Sequence, residues 1–250
     1  MPKGIDILQI KSMAELARLR LETLRDREEI LTTDELRHIL KLVEAYLLHP
    51  GESRPDIPHP AGYTLHLNGY VDFPQILSMP NLAEILAFEM VKMVKKENPG
   101  LIHWVIGPAL ASFSIALFMA KFLGARYGVV EKDKSERLKL WERLTIYPAE
   151  RVLIINDVMS SNEGSTLQTK EAVSAKNPYS VSFVQFAAVL VKHSPFKNLA
   201  DGTKVLFRYK FPEIEVYEPE NCPLCRIGSK PLKLKGQENR TRFLAYMRRA

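Results

Sequence analysis

The stretch from Arg151 to Thr166, RVLIINDVMSSNEGST, constrains this chain more than any other. Val152, Leu153, Ile154 and Ile155 make a short apolar run rich in β-branched side chains. That composition suits a strand buried on both faces of a parallel sheet. The run ends on Asn156-Asp157, then opens into Ser160, Ser161, Asn162, Glu163, Gly164, Ser165 and Thr166, ahead of a helix-like segment. Small hydroxyl side chains and a glycine at a helix start form a phosphate cradle, because the first backbone N–H groups point outward and the helix dipole favours an anion. An acid at the strand end holds ribose hydroxyls or a metal. The chemistry predicts a phosphorylated sugar at the carboxyl end of a parallel sheet. The plain alternative is an ordinary strand–turn–helix connection.

The surrounding chain alternates in the same sense. Leu101 to Ile106 reads as a strand, Gly107 to Ser112 as a loop, and Phe113 to Leu123 as a helix closed by Gly124. Tyr127 to Glu131 is the next strand, followed by a highly charged connection from Lys132 to Glu150. Beyond the opening stretch, Val181 to Val191 and Val205 to Val216 supply further strands. Alternating strand and helix argues for a parallel α/β sheet with right-handed crossovers. Gly107, Pro108, Ala109, Leu110, Ala111 and Ser112 again sit at a strand's carboxyl end. Two such loops on neighbouring strands share one crevice, in which one holds a pyrophosphate and the other a 5′-phosphate. The alternative for this loop is a tight turn packed by small residues.

The N-terminal part carries helices but no recognisable chemistry. Ser12 to Glu15 and Thr32 to Glu35 both fit a capping box. The second helix is expected to place Leu36, Ile39, Leu40, Val43, Tyr46 and Leu47 on one face. His49 to Pro60 is proline-rich and cannot continue it. Asn68-Gly69 predicts a hairpin turn. Pro80-Asn81 with Glu84 starts another helix, which Asn98-Pro99-Gly100 stops.

Composition narrows the class. A chain of 250 residues suffices for one large domain, with or without an accessory piece. The start lacks the apolar region of a signal peptide. The most apolar stretch, His103 to Leu123, is broken by Gly107-Pro108 and carries Lys121, which argues against a membrane span. Two cysteines do not make a disulfide scaffold and fit a reducing cytoplasm. The net charge of +6 is uneven: from Asn221 onward, eight basic side chains face Glu238 alone, leaving the rest of the chain near −1. Such a tail suits nucleic acid, another subunit, an anionic substrate, or simple solvation.

Five segments occur in a telling order: His66-Leu67-Asn68-Gly69-Tyr70, the GPAL loop, VVEKD from Val129 to Asp133, the IINDV…GST stretch, and YEPENCPLC from Tyr217 to Cys225. In this order they resemble the type I phosphoribosyltransferases, most of all the orotate branch with a C-terminal CPLC segment. The likeness spans roughly Gly62 to Lys235. It implies an α/β fold, a central mostly parallel sheet flanked by helices, with a small hood from the N- and C-terminal segments. The expected division is an N-terminal helical extension (1–60), a phosphoribosyltransferase domain (61–220) and a basic tail (221–250).

The resemblance also implies a reaction: a nucleobase such as orotate displaces pyrophosphate from C1 of phosphoribosyl pyrophosphate (PRPP), with Mg2+ bound. By position, Asn156 and Asp157 hold the ribose hydroxyls, Ser160 to Ser165 cradle the 5′-phosphate, and Gly107 to Ser112 hold the pyrophosphate with the metal. Glu131 and Lys132, and His66 and Tyr70, join the substrate site, and Lys132 matches a pyrophosphate-binding lysine. Lys134, Arg137, Lys139 and Arg143 fall in a mobile loop that closes over a highly anionic leaving group. Asp157, Lys132 and Lys134 are the expected catalytic residues. A homodimer is implied as well. The competing reading is a non-catalytic protein of the same fold that binds PRPP or a nucleotide for regulation.

The sequence departs from the family pattern at several positions. Asn156 stands where an acid is usual, which removes a negative charge beside the ribose. Ala111-Ser112 replaces a Gly-Gly-like pair, and a Cβ there hinders close approach of backbone to pyrophosphate. Asn162-Glu163 occupies glycine positions of the phosphate loop. Lys192-His193 stands for Asp-Arg, so His193 takes the base-reading position with a titratable ring. Cys222-Pro223-Leu224-Cys225 has the spacing of a metal knuckle, but a site needs four ligands and there is no second such pair. The sequence therefore assigns no protein-held metal.

Overall fold

In the computed structural model, residues 5–62, 65–109, 112–132, 138–140, 144–160, 164–234 and 237–248 are described. The N-terminal half begins with α1 (Met13–Leu16) and α2 (Thr33–Leu42), each opened by the expected capping box, Ser12 with Glu15 and Thr32 with Glu35. The predicted face of α2 is cut short. Glu44 turns left-handed (φ 52°), and Glu44 and Ala45 return their N–H groups to Lys41 and Leu40 in a Schellman closure. Tyr46 and Leu47 therefore lie in β1 (Tyr46–Leu48).

Three small two-stranded pairings follow. They involve β2 (His59–Pro60), β3 (His66–Leu67) and β4 (Gly69–Val71). The hairpin expected at Asn68-Gly69 is absent. β4 pairs with β1, whereas β3 pairs with a strand far along the chain. Gly69 is there for space: a Cβ would lie 2.7 Å from Leu48 Cδ2 and 2.8 Å from Ile214 Cγ1. After α3 (Pro74–Leu77), the long α4 (Pro80–Lys96) spans the bounds its proline start and Asn98-Pro99-Gly100 stop predict, and buries Leu82, Ile85, Leu86, Met90 and Val94.

The central sheet is built from β5 (Trp104–Pro108), β6 (Arg126–Lys132), β7 (Leu138–Leu140), β8 (Arg151–Met159), β9 (Ser182–Lys192) and β10 (Lys204–Tyr209). Its order is β10-β9-β8-β5-β6-β7, and every neighbouring pair is parallel except β6 with β7. The crossovers are α5 (Phe113–Leu123), closed by Gly124 at φ 66°, and α6 (Ser165–Lys176). This is the expected α/β architecture, with one shift. β8 runs through Met159, so Asn156 and Asp157 belong to the strand and the loop begins at Ser160. The charged connection, expected as irregular, contains the edge strand β7.

The chain then forms β11 (Val216–Tyr217), α7 (Pro223–Arg226), β12 (Pro231–Leu232) and α8 (Gln237–Arg248). β11 pairs with β3, and β12 with β2, so the C-terminal segment closes on the N-terminal one and makes the hood.

Residues 1–60 are not a separate appendage. Ile7, Leu16, Leu24, Ile30, Leu31 and Leu36 are buried in the same apolar core as Val105, Leu153, Ile155 and Ala188 of the sheet. Arg208 fastens this segment: it pairs with Glu89 of α4 and with Glu29, and donates to Leu31 O at 3.1 Å. Nor is the basic tail merely solvated. Phe243 and Leu244 are buried against Leu47 and Ile57, and Arg240 pairs with Asp72. Among the described residues, no helix is long and apolar enough to cross a membrane.

Candidate functional site

Three strand ends meet at the carboxyl edge of the sheet: β5 at Pro108, β8 at Met159 and β9 at Lys192. Parallel pairing alone brings these loops together, as the rule for open α/β sheets requires. The register sets Asn156 beside Val189 and Met159 beside Lys192. His193 follows β9 directly and donates its backbone N–H to Met159 O at 2.9 Å.

Gly107 is needed where β5 approaches β8. A Cβ there would meet Ser112 Cβ at 2.8 Å and Ile155 Cγ1 at 3.1 Å. Ala109 donates its N–H to Val130 O at 2.8 Å, which holds the loop start to β6. Ser112, at the start of α5, is fully buried and donates to Asn156 Oδ1 at 3.3 Å. Leu110 and Ala111 lie outside the described residues.

Asn156 turns inward. Its Oδ1 also accepts the backbone N–H of Asp157 at 2.9 Å, and its Nδ2 is shared among Ser165 Oγ at 2.9 Å, Thr166 Oγ1 at 3.0 Å and Val158 O at 3.1 Å. At 2 % exposure it braces the start of α6 against β8. The amide expected beside the ribose is thus bonded to protein groups on both its oxygen and its nitrogen.

Asp157 is the carboxylate at this edge. Burial pushes it up to about 6, against the lowering effect of the N–H groups of Val158 and of its own residue, and Asp72 adds to the rise. Tyr70 stands in the same electrostatic neighbourhood. Burial, with the negative charge of Asp72 and Asp157, raises its phenol well above the ordinary value. Ser160, Gly164 and Ser165 frame the start of α6, with Gly164 at its N-cap. Ser161, Asn162 and Glu163 lie outside the described residues.

His193 is buried at 7 % exposure, and neither ring nitrogen has a hydrogen-bond partner among the described residues. Its ring lies 6.2 Å from that of Phe211. Burial lowers it to about 4, with Glu213 opposing, so the imidazole is neutral at pH 7. Lys192 lies beneath the surface with its ammonium 4.8 Å from the Phe207 ring centre.

Glu131 and Lys132 end β6, one strand beyond β5, and Glu131 is exposed. Lys134, Arg137 and Arg143 lie outside the described residues, and Lys139 is placed only as part of β7. His66, expected at the substrate, lies beside another histidine and a cysteine. Its Nδ1 faces His59 Nε2 at 3.1 Å and Cys225 Sγ at 3.3 Å. The fold thus brings two histidines to the cysteine pair, which has no second such pair in the sequence. Asp72 and Arg240, which shape the surroundings of Asp157, carry no signal in a reading by motif.

No family model matches the chain. It is 31% identical over 169 residues to the orotate phosphoribosyltransferase of Desulforamulus reducens, covering 67% of this chain and 82% of that one. It is 30% identical over 163 residues to the enzyme of the same name from Caldicellulosiruptor bescii, covering 65% and 80%. Among solved structures, orotate phosphoribosyltransferase from Aeropyrum pernix superposes with a TM-score of 0.54 at 17% identity, over 70% of this chain and 93% of that one. A phosphoribosyltransferase from Corynebacterium diphtheriae gives 0.51 at 14% identity, over 72% and 96%. These two carry the fold and the sequence relatives carry the family: the chain belongs to the orotate phosphoribosyltransferases.

Proposed function

We infer that this protein transfers the 5-phosphoribosyl group of PRPP to orotate and releases pyrophosphate. The observation that carries the reading is the convergence at one sheet edge of the β5, β8 and β9 loops around Asp157, on a chain that shares its sequence with orotate phosphoribosyltransferases. In the reaction the bond from C1 to the pyrophosphate oxygen breaks and a bond from C1 to the base nitrogen forms. The sugar passes through an oxocarbenium-like state, so the work of the protein is positioning and charge stabilisation.

Each residue then has a task. The Asp157 carboxylate accepts hydrogen bonds from the ribose hydroxyls and lies near the developing positive charge. The segment Ser160 to Ser165, which leads into α6, takes the 5′-phosphate at the helix N-terminus. The loop from Gly107 to Ser112 takes the pyrophosphate, with Lys132 and Lys134 balancing its charge. The carboxylate of Asp157 would offer an oxygen ligand to Mg2+ bound with PRPP, and the ion would supply charge neutralisation at the pyrophosphate. We assign the base to His193, whose neutral imidazole is buried with both nitrogens lacking a partner among the described residues. We also propose a homodimer, supported by the exposed apolar side chains Phe113, Leu117 and Tyr127 on α5 and β6.

The test is turnover. Mg2+, PRPP and orotate should yield orotidine 5′-monophosphate and pyrophosphate in equal amounts. If neither orotate nor any other base in a panel releases pyrophosphate, while calorimetry still detects PRPP binding, the regulatory alternative replaces this reading.

A further inference from the structure

Four ligating side chains from distant parts of the sequence meet in the hood. His59 opens β2, His66 opens β3, and Cys222 and Cys225 bracket the start of α7. His59 Nε2 lies 3.1 Å from His66 Nδ1 and 3.7 Å from the sulfur of each cysteine. His66 Nδ1 lies 3.3 Å from Cys225 Sγ. All four donor atoms fall within 4.8 Å of one another, and the thiols are not joined in a disulfide. A tetrahedral ion with nitrogens at about 2.0–2.1 Å and sulfurs at about 2.3 Å spaces its donors about 3.3–3.8 Å apart. The observed separations already approximate that shell.

A second observation concerns orientation. Ser229 Oγ donates its single proton to Ile57 O at 2.7 Å. Toward His59 Nδ1, 2.9 Å away, it can therefore only accept. His59 must carry its proton on Nδ1 and turn the Nε2 lone pair into the cluster. A histidine fixed in this way through its outer nitrogen is the usual support of a metal ligand. His59 is fully buried and Cys222 is 1 % exposed, so water does not satisfy that lone pair or that thiol.

We propose that His59, His66, Cys222 and Cys225 hold a structural zinc ion. Two thiolates with two imidazoles select zinc over the hard cations, and four protein ligands leave no open position for chemistry. On binding, the two thiol protons pass to solvent and both sulfurs coordinate as thiolates. The ion joins the segment 59–66 to the segment 222–225. It adds to the two-residue strand pairs, His59 with Pro231 and His66 with Tyr217, and to the Ser229 hydrogen bonds at the same junction. Because β4 and Tyr70 follow His66 closely, the same cross-link secures the hood beside Asp157.

The full chain, expressed with zinc and purified without chelator, is expected to carry one zinc per chain by elemental mass spectrometry. Cys225→Ser and His66→Asn should each reduce the content to near zero. Ser229→Ala, which alters no ligand, should weaken zinc affinity about tenfold or more. Should a variant fail to fold, Co2+ reconstitution of the unaltered protein decides. An S2N2 site gives strong visible d–d bands with thiolate-to-cobalt charge transfer, displaced by one equivalent of zinc. Zinc-free protein that shows no charge-transfer band with Co2+ overturns the proposal, as does a folded Cys225→Ser variant with undiminished zinc. Neither readout depends on orotate turnover.

Discussion

Ser112 Oγ donates to Asn156 Oδ1 at 3.3 Å, and this bond ties the loop after β5 to the end of β8. Through Nδ2, Asn156 extends the tie to Ser165 and Thr166 at the start of α6. One buried amide thus joins the start of α5 to the start of α6.

Asn156→Ala removes this brace and leaves Ser112 Oγ and the N–H of Asp157 short of a partner. A loss of about 2–3 kcal/mol is expected. In a chain of this size that lowers the thermal midpoint by roughly 4–12 °C. PRPP affinity should fall with it, since the cradle loses its bracing. Thermal unfolding and PRPP calorimetry check this. A variant of unchanged midpoint but weakened PRPP binding would return Asn156 to the role of ribose ligand.

Asp157 makes stability and binding oppose each other in pH. Its folded value of about 6 lies above the ordinary 3.8, so the folded state holds the proton more tightly than the unfolded chain. The cost to stability is absent below about pH 4, grows as pH rises through the interval up to 6, and is complete above it. It amounts to at most about 3 kcal/mol. Asp157→Asn should flatten the pH dependence of the thermal midpoint over that interval and raise the midpoint at pH 8. The same variant should lose most PRPP affinity, and the native protein should bind PRPP progressively less well as pH falls below 6. A midpoint at pH 8 that drops on substitution would show that the carboxylate stabilises the fold.

How far the sequence reveals such a site depends on distance along the chain. The capping boxes, α4, α5 and the alternation of strands are legible because each rests on contacts a few residues apart. Ser112 and Gly164 fall at the starts of α5 and α6, as the strand–loop–helix pattern expects, because a strand end and a helix start are both set locally. The orientation of Asn156 is not legible, since it follows from Ser112 at the start of α5, more than forty residues away. Asn68-Gly69 misleads for the same reason: its flanking segments find longer-range partners in β1 and β11. The meeting of His59 and His66 with Cys222 and Cys225 depends on the C-terminal segment folding back onto the hood, which no local pattern records.

His193 sets a polar ring among apolar groups without a hydrogen bond. An unsatisfied buried polar group costs about 1–3 kcal/mol, and an apolar ring of similar shape removes that cost. His193→Phe is therefore expected to raise the thermal midpoint by a few degrees. If the imidazole reads the base, the same change should raise KM for orotate about tenfold or more while leaving KM for PRPP near its native value. Steady-state kinetics with each substrate varied separates the two. Equal effects on both KM values would mean that the ring only shapes the cleft.

Arg240 of α8 pairs with Asp72, which is 5 % exposed, and donates to Glu44 O at 3.3 Å. Asp72 in turn raises both Asp157 and Tyr70. Arg240→Ala strands a buried carboxylate, for which about 3–5 kcal/mol is the expected loss. It also removes the positive charge that offsets Asp72 near the site, so Asp157 should titrate higher than in the native protein. Two measurements follow: a large drop in thermal midpoint at pH 7, and an upward shift in the pH at which PRPP binding is half lost. Asp72→Asn combined with Arg240→Met removes both charges and keeps much of the packing volume. This pair should recover most of the stability and bring the Asp157 transition below its native pH. If the double variant is as unstable as Arg240→Ala alone, the tail is held by Phe243 and Leu244 with their apolar neighbours, and the ion pair contributes little to closing the hood.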